Sequence, residues 1–557
     1  MKKYYSLFIL LMYAFTLKAT SYVSNNSGDW GTSTIWTPNG IPGQSDNVTI
    51  LSGHSISGST QRLVNNLTIN NGGILTHQNL IIYGLLTNNG SFVPTGSSNV
   101  QFVSTGTVIT GSGTNTIPAG NWYFFYNQQI DAGVTINSAG YLYLYNTAGF
   151  PNVSVTNNGT ISFTSGVKVA TSTVPCTITN GTNASFTTWS VINSIVTLNA
   201  SATGNTINFA GTSSYTINIP SSSTFYNLTI SGSGIKTIPN NMILLGNFVV
   251  QTTTNIQSKT ITIGGNWTNS STVQLNTSTF INFNGSSTQT LTKSAGLESM
   301  GHVTFSGSGV KTLGVNISLC GLTIASGATL DVSTSNYSLF VANNWLNNGG
   351  TFIPRNGTVT FDGTNQSITK SGGETFNNVV CAGLNTKTLG SDISCASLTI
   401  NSGITLDVSA SNYSINLSRN WSNSGTFLQR NGTVNFNGTT TQSITSSSVP
   451  TFYNLTQSGT GITSITRNIV VTNQFNISNG VFTSGTYTIT GAASLVMSGG
   501  ELQLATVSTT LPSLSGSYSL SGGKVTFNGA GNQTIRNVTY HSVDIGQLTG
   551  GVGINEK

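Results

Sequence analysis

The sequence predicts an all-β chain folded as an elongated parallel β-helix, a β-solenoid with about 20 residues per coil and a higher-order repeat of about 76 residues. Three observations predict it: landmark motifs that share one period, short alternating apolar triplets inside that period, and a composition almost free of charge.

Internal self-similarity at a fixed period is the mark of a repeat architecture. Asn266-Trp267-Thr268-Asn269, Asn344-Trp345-Leu346-Asn347 and Asn420-Trp421-Ser422-Asn423 place Trp at intervals of 78 and 76 residues. Phe283-Asn284-Gly285, Phe361-Asp362-Gly363 and Phe436-Asn437-Gly438 keep the same clock, as do Lys236, Lys311 and Lys387, each followed by Thr and then Ile or Leu. Within the period, triplets such as Val303-Thr304-Phe305 recur. Their last apolar residues, Phe283, Phe305, Ile324, Val341 and Phe361, are separated by steps of 22, 19, 17 and 20. Alternation at period two, rich in Val, Ile, Phe and Thr and bounded by Asn-Gly or Ser-Gly, is a strand signal. No segment carries a helical apolar stripe. The steps predict four coils to the repeat and roughly 25 in the chain, each advancing by the ~4.8 Å strand spacing.

Lys+Arg 18 and Asp+Glu 12 make 5% of 557 residues, where a typical soluble domain has about a quarter. Stacked coils explain the deficit: a charge repeated along the stack faces its own kind, whereas Asn, Ser and Thr form hydrogen-bonded ladders. Gly 64 supplies the turns. The alternative architecture, a string of β-sandwich domains, lacks linkers between units and has less even spacing.

In chain order, residues 1–20 read as a signal peptide: Lys2 and Lys3, an apolar stretch over 4–17, and cleavage near Ala19 to Ser21. Removing it leaves 15 basic against 12 acidic residues, too few and too scattered for nucleic acid. No later run is long enough to span a membrane as a helix, and the expected location is secreted or outer-surface. Residues 21–110 read as an N-terminal cap and first coils, 111–205 as divergent coils, 206–500 as regular repeats, and 501–557 as a divergent last repeat that breaks off near Gly550-Gly551-Val552-Gly553, as in a truncated chain.

With Asn344-Trp345, Gly357-Thr358-Val359-Thr360-Phe361-Asp362-Gly363, Gln366-Ser367-Ile368, Lys387-Thr388-Leu389 and the opening Gly28-Asp29-Trp30, Trp36 and Asp46-Asn47-Val48-Thr49-Ile50, the chain resembles the surface β-solenoid repeat proteins of Gram-negative bacteria exported by type IX-like systems. The resemblance implies the solenoid, an extracellular location and an adhesin-like role. The compact sorting domain common in that class is not found.

Paired carboxylates for a polysaccharide lyase or glycoside hydrolase need to lie within ~5–9.5 Å. The best pair by pattern, Asp331 and Asp407, falls four expected coils apart, and both read as solvent-facing. Asp29, Asp46 and His54 form the one mixed acidic and His neighbourhood, with turn residues as the plainer reading. His54, His77, His302 and His541 lack ligand spacing for zinc. No catalytic residue, metal site or cofactor is expected. Two series are candidate ligand contacts: Trp267, Trp345 and Trp421, as sugar platforms or as core filling, and Lys236, Lys311 and Lys387, repeating on one face, as contacts to acidic glycans or as solvated lysines. Cys176, Cys320, Cys381 and Cys395 are expected as thiols, mostly buried, because one repeat of stacked coils exceeds the ~7 Å reach of a disulfide. The function expected is an exported structural, adhesin-like protein whose polar surface meets glycans or host and environmental polymers. The alternatives are the lyase or hydrolase, and ice binding, which needs an unbroken Thr-x-Thr column and is disfavoured by uneven coil lengths.

Overall fold

The computed structural model describes residues 18–117, 120–145, 153–169, 175–189, 196–217, 219, 223–506, 511–530 and 533–545. The expected leader over residues 1–17 and the break at Gly550 lie outside the described residues. The fold is nearly all β, with parallel strands stacked as a β-solenoid of about 22 turns of about 21 residues. Two compact units divide at Asn240 and Asn241.

In the first unit the turns have three faces. One stacks Asn47–Ile50, Asn66–Ile69 and Leu86–Asn88 in parallel. A second stacks Thr114–Ile117, Thr135–Ser138, Thr160–Phe163, Ser185–Thr188, Thr206–Phe209 and Asn227–Ile230. The third runs from Arg62–Val64 through Leu80–Ile82, Asn99–Phe102, Asn121–Phe124 and Tyr141–Leu144 to Gly166–Val169. Alternation sends Val48, Ile50, Leu67 and Ile69 inward, where each is buried. The first strand, Ser21–Ser24, pairs in parallel with Asn47–Ile50 and antiparallel with Trp36–Thr37. That reversed strand covers an edge that would otherwise offer open backbone groups. Trp36 Nε1 donates to the Trp30 carbonyl at 2.9 Å, and the two rings meet edge-on at 5.1 Å.

The second unit corrects the coil count. From Phe280–Phe283 to Thr351–Ile353, one repeat contains eleven strand segments, because Glu298–Phe305 and Ile317–Ile324 each bend around a corner and serve two faces. The next repeat, from Thr358–Phe361 to Thr426–Leu428, again contains eleven. With three faces per turn, a repeat is three and two-thirds turns rather than four, which returns the observed 21 residues per turn. The 17-residue step from Ile324 to Val341 is no stacking step: Ile324 pairs with Asn347, and Val341 with Leu319.

Because eleven is one short of a multiple of three, each landmark reappears on the next face. Trp267 stacks between Phe248 and Leu291, Trp345 between Leu322 and Ile368, and Trp421 between Leu398 and Ile444, on three different ladders. The Lys series likewise does not repeat on one face: Lys311 pairs with Gln289 on the ladder of Trp267, and Lys387 with Gln366 on that of Trp345.

Candidate ligand surfaces

The repeated Trp and Lys residues are interior parts. Trp267, Trp345 and Trp421 are 0% exposed, so they are core filling and not sugar platforms. Trp345 packs edge-on to Phe352 and Phe376 at 4.9 and 5.0 Å, and its Nε1 donates to Glu374 at 3.0 Å. Lys236, Lys311 and Lys387 are also 0% exposed, which removes both the glycan-contact and the solvated readings. Lys311 Nζ donates to the carbonyls of Gly285, Gly307 and Gly309 at 2.9, 3.1 and 2.7 Å, and Lys387 Nζ to those of Gly363, Thr364 and Leu384 at 2.6, 3.1 and 2.9 Å. Lys236 donates in the same way to Ser213, Ser233 and Gly234. A buried ammonium needs such acceptors, and burial still pulls Lys311 down to about 8.

The same corner explains the Phe-x-Gly and Gln landmarks. Gly363 N donates to Gln366 Oε1 at 2.9 Å, and Gln366 Nε2 donates to the Val341 and Asn343 carbonyls of the preceding turn, both at 2.6 Å. Gln289, Gln442 and Gln533 repeat the pattern with Gly285, Gly438 and Gly529. A Cβ at Gly363 would stand 1.6 Å from the Ala342 carbonyl oxygen, so the turn admits no other residue.

The carboxylates are similarly committed. Asp331 and Asp407, expected at the surface, are 7% exposed. Arg355 grips Asp331 through two bonds of 2.6 and 2.7 Å, and Arg430 grips Asp407 at 2.5 and 2.8 Å. These bonds hold both carboxyls below the usual range. Glu374 is buried against Lys370, Trp345 and Asn347, and Glu298 against Lys293 and Asn269. Asp29 accepts from Gly31 N, Asp46 from Thr20 N and Gly43 N, and His54 pairs with Ser24 Oγ. Among the described residues no three His, Cys, Asp or Glu side chains come together as metal ligands. Cys176, Cys381 and Cys395 are buried, but Cys320 is half-buried at a corner, less enclosed than expected.

One outward face of the first unit is built of neutral side chains. On the second face of the first unit, Thr114, Thr135, Thr160, Ser185, Thr206 and Asn227 form one column in register, and Thr116, Asn137, Ser162, Thr187, Asn208 and Thr229 a second. Uneven coil lengths are absorbed in loops and leave this face regular. The third face departs from the pattern. Tyr123 stacks on Tyr143 at 4.7 Å and Phe125 lies 4.7 Å from Tyr145, while Lys168 Nζ sits 3.6 Å above the Tyr141 ring. Tyr123 and Tyr143 cover one another's faces, and Lys168 covers that of Tyr141. The signal lay in the sequence, where Asn121-Trp122-Tyr123-Phe124-Phe125 and Tyr141-Leu142-Tyr143-Leu144-Tyr145 are bulky in both phases of the alternation.

The second unit carries an open groove of about 650 Å³. Its lining includes the polar Gln257, Gln274, Asn276, Thr277, Ser299 and Ser318, the half-buried Cys320 and Ala342, and the buried Met300 and Leu319. Asn276 fixes the rim loop, donating to Ser258 Oγ at 2.9 Å and accepting from Ser258 N at 3.0 Å and Ser278 N at 3.1 Å. No family, curated protein or solved structure matches this chain.

Proposed function

We propose that the chain is an exported, adhesin-like scaffold that attaches to glycans or other surface polymers through neutral hydroxyl and amide groups, many weak contacts acting together. The observation that carries this reading is the division of side chains. The repeated lysines and carboxylates are held in internal corners, while register-matched Thr, Ser and Asn columns face outward. The repeated carboxylates Asp331 and Asp407 are each clamped by an arginine, which at those positions supports attachment over hydrolysis. The basic, apolar N-terminal stretch supports export.

Neutral contacts carry a signature. Binding through hydroxyls and amides is expected to survive a rise from 0.05 to 1 M salt, since screening acts on charges. The mature chain should be tested against arrayed neutral and acidic glycans and matrix proteins at both salt levels. Retained binding at high salt is the expected result. Binding abolished by salt, or absent from every surface, would remove the reading.

A further inference from the structure

The geometry points to a binding site for a neutral oligosaccharide in the groove bounded by Gln274, Asn276 and Ser299, a deepening that rests on the attachment function proposed above. Three independent features converge there. The first is a gap in hydrogen bonding. Val273–Gln274 pairs on one side with Thr254–Asn255, and the ladder on its other side resumes only with residues 298–300 and 317–319. Among the described residues, no ladder pairing joins Val273–Gln274 to 298–300. Every repeat has such a seam, after Thr351–Ile353 and again after Thr426–Leu428.

The second feature is what fills the seam. At the later two, a pair of phenyl rings plugs it beneath the Trp: Phe352 with Phe376 at 5.9 Å, and Phe427 with Phe452 at 6.1 Å. The corresponding residues of the first copy are Val273, six after Trp267 as Phe427 is six after Trp421, and Met300, two after Glu298 as Phe376 is two after Glu374. Val273 and Met300, smaller than the two rings they replace, both line the groove, whose volume lies within the roughly 300–1,000 Å³ of small-molecule sites.

The third feature is charge. Arg355 and Arg430 stand three residues after the plug Phe and clamp Asp331 and Asp407. In the first copy the same places hold Asn276 and Asn255. The groove thus combines amides and hydroxyls at its rim, without a carboxylate or cation among its lining residues, and an apolar floor. That pairing fits a sugar, whose hydroxyl edges require hydrogen-bond partners and whose C–H faces require apolar surface.

The test uses Cys320, a half-buried thiol in the groove, while the other three are buried. The mature full chain is titrated with cellohexaose, maltohexaose and mannohexaose, with oligogalacturonate as charged control, while maleimide labelling of Cys320 is followed; Cys320→Ser identifies the signal. At least one neutral hexasaccharide should slow labelling about tenfold or more, and the uronate should not. The double variant Val273→Phe/Met300→Phe restores the plug of the other copies. It should keep the wild-type melt and lose affinity by about tenfold or more, equivalent to ~1.4 kcal/mol. Gln274→Ala, a rim change outside the core, should weaken the same ligand. Saccharide binding without Cys320 protection and undiminished in the filled variant would overturn the groove while leaving attachment intact. Surface attachment without binding of any neutral hexasaccharide would do the same. Absence of both saccharide and surface binding would remove both readings.

Discussion

A single glutamine shows how this chain stays folded with few charges. Gln366 joins Gly363 N to two carbonyls of the preceding turn, and all three backbone groups lie where water is scarce. Gln366→Leu keeps the bulk and removes the partners; leaving buried groups unsatisfied costs about 1–3 kcal/mol each. The expected outcome is a local loss of about 2–4 kcal/mol, near the lower end because the turn can relax, read as faster hydrogen exchange at the amide of Gly363. The Asp331 and Asp407 clamps give a pH dependence of known sign. Their carboxyls titrate below the ordinary range because of the guanidinium bonds. The stabilisation is therefore complete above about pH 4, where an unfolded Asp is ionised, and is lost as pH falls through the depressed folded values. Asp331→Asn/Asp407→Asn should melt below wild type at pH 7, and the gap should narrow as pH falls below about 4.

At the scale of the strand, the copies substitute whole interactions and not isolated residues. Phe305 and Lys311, like Cys381 and Lys387, stand six apart; in the next copy these places hold Gln457 and Thr463. Gln457 Nε2 donates to the Gly459 and Gly461 carbonyls at 2.9 and 3.3 Å, and Thr463 Oγ1 donates to Gln457 Oε1 at 2.5 Å. An amide on one strand has replaced an ammonium on the next. Gln457→Phe and Thr463→Lys should each destabilise, whereas the double variant should recover much of the loss, with a coupling of about 1–3 kcal/mol in a double-mutant cycle of thermal melts. Lys370 and Glu374 are likewise replaced together, by Ser446 and Pro450, and the buried Trp421 Nε1 is left without a hydrogen-bond partner. Glu374→Ala alone should cost about 3 kcal/mol, the low end for a broken buried pair because Lys370 keeps some solvent contact. Urea melts should show Lys370→Ser/Glu374→Ala costing less than that single change.

For the whole molecule, the all-β class, the inward triplets and the 76-residue clock were legible in the chain, because burial imposes period two on every strand and identical corners need identical residues. The sidedness was not. Counting apolar triplets counts Ile324 and Val341 as successive coils, and only pairing partners reveal that they belong to different faces. The positions of Lys311 and Trp345 were hidden for a related reason: a cation or indole at a regular interval resembles a surface array until the carbonyls and rings around it are known. The groove was hidden too, since Val273 and Met300 are unremarkable apolar residues until the phenyl plugs of the other copies stand beside them. Removing residues 346–421 joins equivalent strands, and the shortened chain should keep its far-UV β spectrum with a smaller urea m-value, in proportion to surface lost. Three-sidedness also bears on how such a gene evolves. Recombination between adjacent copies adds or deletes eleven strands, which leaves each local stack intact but turns whatever follows onto a neighbouring side. A lineage can thus re-aim its binding features by changing copy number, and returns to the original aim only after three such events.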